Sequence, residues 1–193
     1  MQEIVLIKNG ELVLKGLNRS SFEDVLIKNM RKALKPLGEF TFTKSQSTIM
    51  VEPVDKETDL DDAVDKLKKV FGIAALSRAA IAEKSMDSIR ETTLEYLEEE
   101  LEEASTFKVE AKRSDKKFPM KSPEICRELG GDILSKFNHL KVDVHNPDIV
   151  VTVEIRDNYA FIRGNNIKGA GGMPVGTSGR AATLISGGID SPV

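Results

Sequence analysis

T-D-L-D-D-A-V-D-K-L-K-K-V-F-G-I-A-A-L-S-R-A-A-I-A, residues 58–82, decides how the first half of the chain reads. Leu60, Ala63, Val64, Leu67, Val70 and Phe71 recur at helical spacing and give a helix one apolar stripe. Thr58 and Asp61 read as a capping box at its start, and Gly72 as its stop. Ala74–Ala82 follows as a strand. Before this stretch, Phe40–Thr43 and Thr48–Val51 are β-prone runs separated by a polar turn. Further back, Phe22, Val25, Leu26, Met30, Ala33, Leu34 and Leu37 repeat at helical spacing. Ser20 with Glu23 reads as their capping box, and Pro36 with Gly38 ends the helix. Glu3–Ile7 is a short apolar strand, closed by the Asn9-Gly10 turn. The order β-α-β-β-α-β predicts a split βαβ, ferredoxin-like unit over residues 1–83.

A second unit is expected over residues 84–166. After Ser85, Met86, Ile89, Thr93, Leu97 and Leu101 form an apolar stripe. Glu91, Glu95, Glu98, Glu99 and Glu102 cover the opposite, solvated face. Phe107–Arg113 alternates strictly, with Phe107, Val109 and Ala111 on one side and Lys108, Glu110 and Lys112 on the other. Arg113–Lys121 is a basic loop. Ser122 then caps a helix with Pro123 at its first position and Ile125, Leu129, Ile133 and Phe137 as its buried stripe. Ile149–Ile155 is a strand, Asp157-Asn158 its turn, and Tyr159–Arg163 its hairpin partner. Between Arg163 and Arg180 lie six of the chain's 14 glycines, so residues 167–182 read as a linker.

With 193 residues, 40% hydrophobic and 31% charged, the chain is long enough for one large domain or two small ones. The class is α+β. A net charge of −3 does not advertise nucleic-acid binding, no apolar run approaches membrane-spanning length, and no signal-peptide layout opens the chain. A single cysteine rules out an internal disulfide and suits a reducing cytoplasm. His139 and His145 stand in separate contexts, so no zinc spacing exists and no metal site is expected. The charge is segregated, however. Residues 85–106 are strongly acidic, whereas Lys112, Arg113, Lys116, Lys117, Lys121 and Arg127 gather on a strand end, a loop and a helix start. Long cations beside helix N-terminal amides suit a phosphate backbone; a lysine loop kept for solubility fits the same composition. Lys15 and Arg19 add a weaker basic group in the first unit.

The last stretch, residues 183–193, runs from the apolar Leu184-Ile185 through Ser186-Gly187-Gly188 to Asp190-Ser191-Pro192. Strand, glycine turn and helix start is the geometry of a phosphate site, but the loop lacks the lysine of a Walker A motif. Ser186-Gly187-Gly188-Ile189-Asp190-Ser191 resembles the loop of the PP-loop ATP pyrophosphatases. Gly10-Glu11-Leu12-x-Leu14-Lys15-Gly16-x-Asn18-Arg19-x-x-Phe22-Glu23 resembles the opening of the tRNA 4-thiouridine synthetase family. The runs starting at Phe107 and Val151 resemble that family's THUMP domain, and Gly171–Gly179 its linker.

The resemblance implies a ferredoxin-like domain, an α/β THUMP domain and the first strand and loop of a truncated PP-loop domain. It implies that the first two grip the acceptor end of tRNA, with Lys112, Arg113, Lys116 and Lys117 at or near that grip. It implies ATP with Mg2+ as cofactor of the full-length protein, held by Leu184, Ile185, Ser186, Gly187, Gly188, Asp190 and Ser191. The family's reaction adenylates O4 of uridine 8 and replaces that oxygen with persulfide sulfur from a cysteine desulfurase; the family also supplies sulfur for the thiamine thiazole. A homodimer, cytoplasmic and without membrane attachment, is implied as well. No catalytic residue is expected in these 193 residues, since Cys126 reads as a structural thiol on an amphipathic helix. The expectation is a fragment that binds tRNA, with ATP not bound and no thiolation of its own. A free-standing RNA-binding adaptor and a PP-loop enzyme acting on a small metabolite are the competing readings.

Overall fold

The computed structural model describes residues 1–11, 16, 18–45, 48–55, 57–180 and 182. Its first unit runs β1 (Glu3–Asn9), α1 (Arg19–Leu34), β2 (Phe40–Ser45), β3 (Thr48–Pro53), α2 (Leu60–Leu67) and β4 (Ile73–Ala82), the expected β-α-β-β-α-β. The second runs α3 (Met86–Tyr96), α4 (Glu98–Glu103), β5 (Thr106–Arg113), α5 (Ser122–Lys136), β6 (Lys141–Val142), β7 (Ile149–Ile155), β8 (Ala160–Arg163) and β9 (Ile167–Lys168). The strands form one sheet in the order β2-β3-β1-β4-β8-β7-β5-β6, with β9 also on β4. Strand β4 therefore carries both units: Glu3–Asn9 pairs along one edge, while β9 pairs with Ala75-Leu76 and β8 with Ala80–Ala82 on the other.

Register places α1 to α5 on one face. Val5, Ile7, Ile49, Val51, Ile73 and Leu76 pack under α1 and α2. Phe107, Val151, Val153, Ile155, Ala160 and Ile162 pack with Ile89, Leu101, Ile125, Leu129 and Ile133 of α3–α5. The alternate positions face away from every described helix. There Ile4, Leu6, Ala79 and Phe161 form a small apolar cluster of their own.

Local capping departs from the expected residues. Glu23 does not reach back to cap α1; buried, it accepts from Asn9 Nδ2 at 2.9 Å and Arg19 Nε at 2.7 Å, and Asn18 is the N-cap. Asp59, rather than Thr58, caps α2 by accepting from the Asp61 N–H at 2.7 Å. α5 starts one residue earlier than expected relative to its cap: the Lys121 N–H donates to Glu124 Oε2 at 2.6 Å, and Ser122 is already helical. The apolar stripe of residues 86–101 is real, yet two helices share it, because the chain leaves α-helical geometry at Leu97. Phe71, expected on a buried stripe, is 53% exposed beyond the end of α2.

The glycine-rich stretch is the largest departure. Its composition predicts a linker, but its first part is strapped to the sheet. The Gly169 N–H donates to Ala74 O at 3.0 Å, the Gly171 N–H to Ile73 O at 2.7 Å, and the Gly72 N–H to Gly171 O at 2.8 Å. Asn29 of α1 donates to Val175 O at 3.0 Å. A Cβ at residue 169 would lie 2.3 Å from the Ile73 carbonyl oxygen, so only glycine admits this approach. Replacing Gly169 with Ala should therefore cost about 1–3 kcal/mol in urea unfolding, as overpacking does. Gly131→Ala, in the middle of α5 with nothing within 4 Å of the new methyl, should instead stabilise by about 0.5–1 kcal/mol.

Candidate nucleic-acid interface

Two features adjoin at the C-terminal end of β5: the helix-free sheet face and the basic loop. On that face the register aligns Lys8 of β1, Ser77 and Ala79 of β4, Phe161 and Arg163 of β8, Thr152 and Glu154 of β7, and Glu110 and Lys112 of β5. The sheet is strongly curved. β2 and β7 are five strand spacings apart, about 24 Å in a flat sheet, yet Arg156 Nη1 donates to Ser45 Oγ at 2.6 Å. Arg156 also donates to Glu154 Oε2 at 3.2 Å and lies 5.5 Å from the centre of the Phe161 ring. Beneath it is a cavity of about 420 Å³ whose walls include Ile4, Met50, Ile81, Phe161 and Tyr159.

Glu154 holds the face together. Its Oε1 accepts from Arg163 Nη2 at 3.4 Å, and Arg163, 2% exposed, donates also to Asn166 Oδ1 at 3.0 Å. Burial alone would raise the Glu154 carboxyl, but the Arg156 hydrogen bond and the charges of Arg163, Arg156 and Lys112 hold it below its ordinary value.

In the loop after β5, the cations divide into framework and free surface. Arg113, on the helix side of β5, donates to the carbonyls of Phe118 at 3.0 Å and Met120 at 2.8 Å, so it shapes the loop. Lys116, Lys117 and Lys121 are exposed, as are Lys112 on the sheet face and Arg127 on α5. Lys84, which the sequence did not single out, bonds the Asp115 carboxylate and Asp157 O, closing the loop against the β7–β8 turn. That hydrogen bond and the Lys117 backbone N–H keep the Asp115 carboxyl below its ordinary value. In the first unit Arg19 is bound to Glu23. Lys15 and the whole ATP-loop set, Leu184, Ile185, Ser186, Gly187, Gly188, Asp190 and Ser191, lie outside the described residues. Cys126 is half-buried on α5, and burial pushes its thiol up, which suits packing and not nucleophilic attack.

The opposite surface is acidic: Glu95, Glu98, Glu99, Glu100 and Glu103 line a cleft beside α3 and α4. Burial, and then Glu99 and Glu103, push the Glu100 carboxyl up. Among the described residues no group of acidic, His or Cys side chains could hold a metal ion, and no helix is long and apolar enough to cross a membrane.

Two family models match the chain: the ThiI ferredoxin-like domain over residues 4–77 and the THUMP domain over residues 83–163. A protein of Alkaliphilus oremlandii (strain OhILAs) named "Probable tRNA sulfurtransferase" is 49% identical over all of this chain and 49% of its own length. A protein of the same name from Acetivibrio thermocellus is 44% identical over all of this chain and 50% of its own. The chain thus spans about half the length of the curated relatives it matches. A 4-thiouridine synthetase, in complex with RNA and with bound ATP, superimposes with a TM-score of 0.84 at 36% identity, over 100% of this chain and 48% of that one. PH1313 from Pyrococcus horikoshii Ot3 superimposes with a TM-score of 0.76 at 33% identity, over 90% of this chain and 57% of that one.

Changing Glu154 to Gln should strand two largely buried guanidiniums and cost about 3 kcal/mol. Because the folded carboxyl titrates below its unfolded value, its contribution is present above the ordinary carboxylate range and lost as pH falls through the folded value. The stability gap between the two proteins should accordingly close below about pH 4, as read by urea unfolding at stepped pH.

Proposed function

Because the chain belongs to the family that joins a ThiI ferredoxin-like domain to a THUMP domain, we propose that it is the tRNA-holding portion of an ATP-dependent tRNA sulfurtransferase. The observation that carries the reading is the exposed lysine group Lys112, Lys116, Lys117 and Lys121, set at a strand end and a helix start on a molecule of net charge −3. A phosphate backbone offers closely spaced anions. Lysine ammoniums meet them as point charges, and the first amides of α5 add partial positive charge. The acidic α3–α4 surface repels the same polyanion, so approach is restricted to one side. The RNA-bound state of the 4-thiouridine synthetase that shares this fold supports the same assignment.

In the whole protein the tRNA would be gripped by its acceptor end, with Arg127, Lys15 and Arg19 at the margins of the contact. The tRNA substrate base is uridine 8, and the product 4-thiouridine. ATP, with Mg2+, would be held by the loop from Leu184 to Ser191 and would convert O4 of the uridine into an adenylate. AMP is a good leaving group where an oxygen of the base is a poor one, so persulfide sulfur delivered by a cysteine desulfurase can displace it. A homodimer would allow tRNA held on one subunit to reach the catalytic loop of the other. The same sulfur chemistry would serve the thiamine thiazole, in the cytoplasm. The work of this chain is binding and placement.

Filter binding of tRNA to the Lys116→Ala/Lys117→Ala/Lys121→Ala variant tests the reading. Affinity should fall, and the slope of log affinity against log salt should flatten by roughly 0.7–0.9 for each phosphate no longer neutralised. Affinity and slope equal to those of the unchanged chain would remove the loop from the interface.

A further inference from the structure

Lys8 and Lys112 are 104 residues apart in sequence and share the concave, helix-free face; neither makes an ion pair within the described residues. The carboxylates that could neutralise them are already engaged. Glu154 is shared between Arg156 and Arg163, and Glu110 is paired with Lys108 at 3.0 Å. Positive charge on this patch is therefore in excess. Burial, and then the neighbouring charges of Arg163 and Lys112, push the Lys8 ammonium below its ordinary pKa, against the opposing pull of Glu154 and Glu110.

Between Lys8 and Arg163 lies an independent sign of incompleteness. Ser77 of β4 is the diagonal neighbour of Lys8 on the same face, and its hydroxyl, 2% exposed, has no hydrogen-bond partner. Arg163 Nε, on a side chain equally buried, has none either. Buried donors are normally satisfied, and unsatisfied ones in native structures mark a missing water, ion or ligand. A hydroxyl and a guanidinium N–H without partners, flanked by two ammoniums outside any ion pair, suit an anion rich in acceptor oxygens.

We propose that Lys8, Ser77, Arg163 and Lys112 form an oxyanion site for a phosphoryl group, which takes either a phosphate of the bound polynucleotide or a free phosphate anion. Lys112 joins the site to the basic loop, so a strand lying over Lys116 and Lys117 can continue onto the curved sheet. Glu154 fixes Arg163 as the floor, Ser77 donates from β4, and the two lysines close over the anion from β1 and β5. The polynucleotide arm of this proposal rests on the tRNA-binding reading above; the free-anion arm does not.

The test follows the lysine side-chain NMR signals of this chain during titration with inorganic phosphate and pyrophosphate, and in parallel measures tRNA affinity against salt. The variants are Lys8→Gln, the exposed Lys112→Ala and, on the helix side, Lys32→Ala as control. A polynucleotide phosphate predicts that Lys8→Gln and Lys112→Ala each lower tRNA affinity about threefold to tenfold and flatten the salt slope by roughly 0.7–0.9, with Lys32→Ala unchanged. A free anion predicts a saturable phosphate or pyrophosphate shift of the Lys8 and Lys112 signals, with tRNA affinity unmoved by Lys8→Gln. No saturable shift, together with a Lys8→Gln tRNA slope equal to that of Lys32→Ala, overturns the site and leaves the tRNA-binding reading standing. If the unchanged chain binds no tRNA, that reading falls, and the phosphate titration alone decides the site. Should Lys8→Gln fail to fold, Ser77→Ala, which removes only the unpartnered hydroxyl, carries the same decision.

Discussion

Everything in this molecule depends on β4 being paired along both edges. Its ten residues give one edge to β1 and the other to β8 and β9. Because Ala80–Ala82 of β4 pair with β8, the two units share one hydrogen-bonded sheet instead of meeting through side chains alone. Separating them would expose backbone donors and acceptors of β4 and β8 as well as apolar surface, a cost that flexible tethering does not carry. Arg78 ties β4 to β1 and α2 within the first unit, on the helix side: one guanidinium nitrogen donates to both carboxylate oxygens of Glu3 at 2.9 Å, and another meets Asp61 at the start of α2. Burial would lower the Arg78 pKa, but the hydrogen bond and charge of Glu3 raise it instead.

A continuous sheet with its helices on one side leaves the other side continuous too. The twist and curl of so wide a sheet turn that side into a trough, and Arg156 reaching Ser45 fixes how far the trough closes. Curvature has an electrostatic consequence. Cations that would stand well apart on a flat sheet converge on the concave side, where solvent screens them less, while the glutamates of α3 and α4 are left on the convex one. A protein with a slight overall negative charge can in this way present a positive surface in one direction only.

How much of this was written in the sequence depends on the range of the interaction. Period-two alternation in residues 107–113 and helical stripes in residues 22–34 and 125–137 survive because each face meets one uniform environment. The caps were less legible. A Ser or Thr followed by a carboxylate three residues on satisfies the pattern at Ser20, but Asn9, Arg19 and a lysine of β2 compete for Glu23 and win it. β9 was illegible because two residues followed by a glycine carry no period; what specifies them is the edge of β4 beyond β8 and the close approach at Gly169. The basic loop was visible as a local run of charge. Lys8 and Arg163 were not visible as part of the same surface, since only the register of β1, β4 and β8 brings residues so distant in sequence onto one patch.

The division of labour between arginine and lysine follows from their chemistry. Arg113 bridges two loop carbonyls, Arg156 joins β7 to β2, and Arg163 anchors β8 to Glu154 and Asn166. Each uses a planar fork of several donors, which a single ammonium cannot reproduce. Lys8, Lys112, Lys116, Lys117 and Lys121 make no ion pair among the described residues and stay at the margins or on the surface. Guanidiniums held by several of their donors create a rigid and weakly hydrated positive floor. Ammoniums added above it make no ion pair among the described residues. A phosphate group arriving at such a surface exchanges water for charge at the lysines without disturbing the arginine framework beneath, so binding need not be purchased with folding stability.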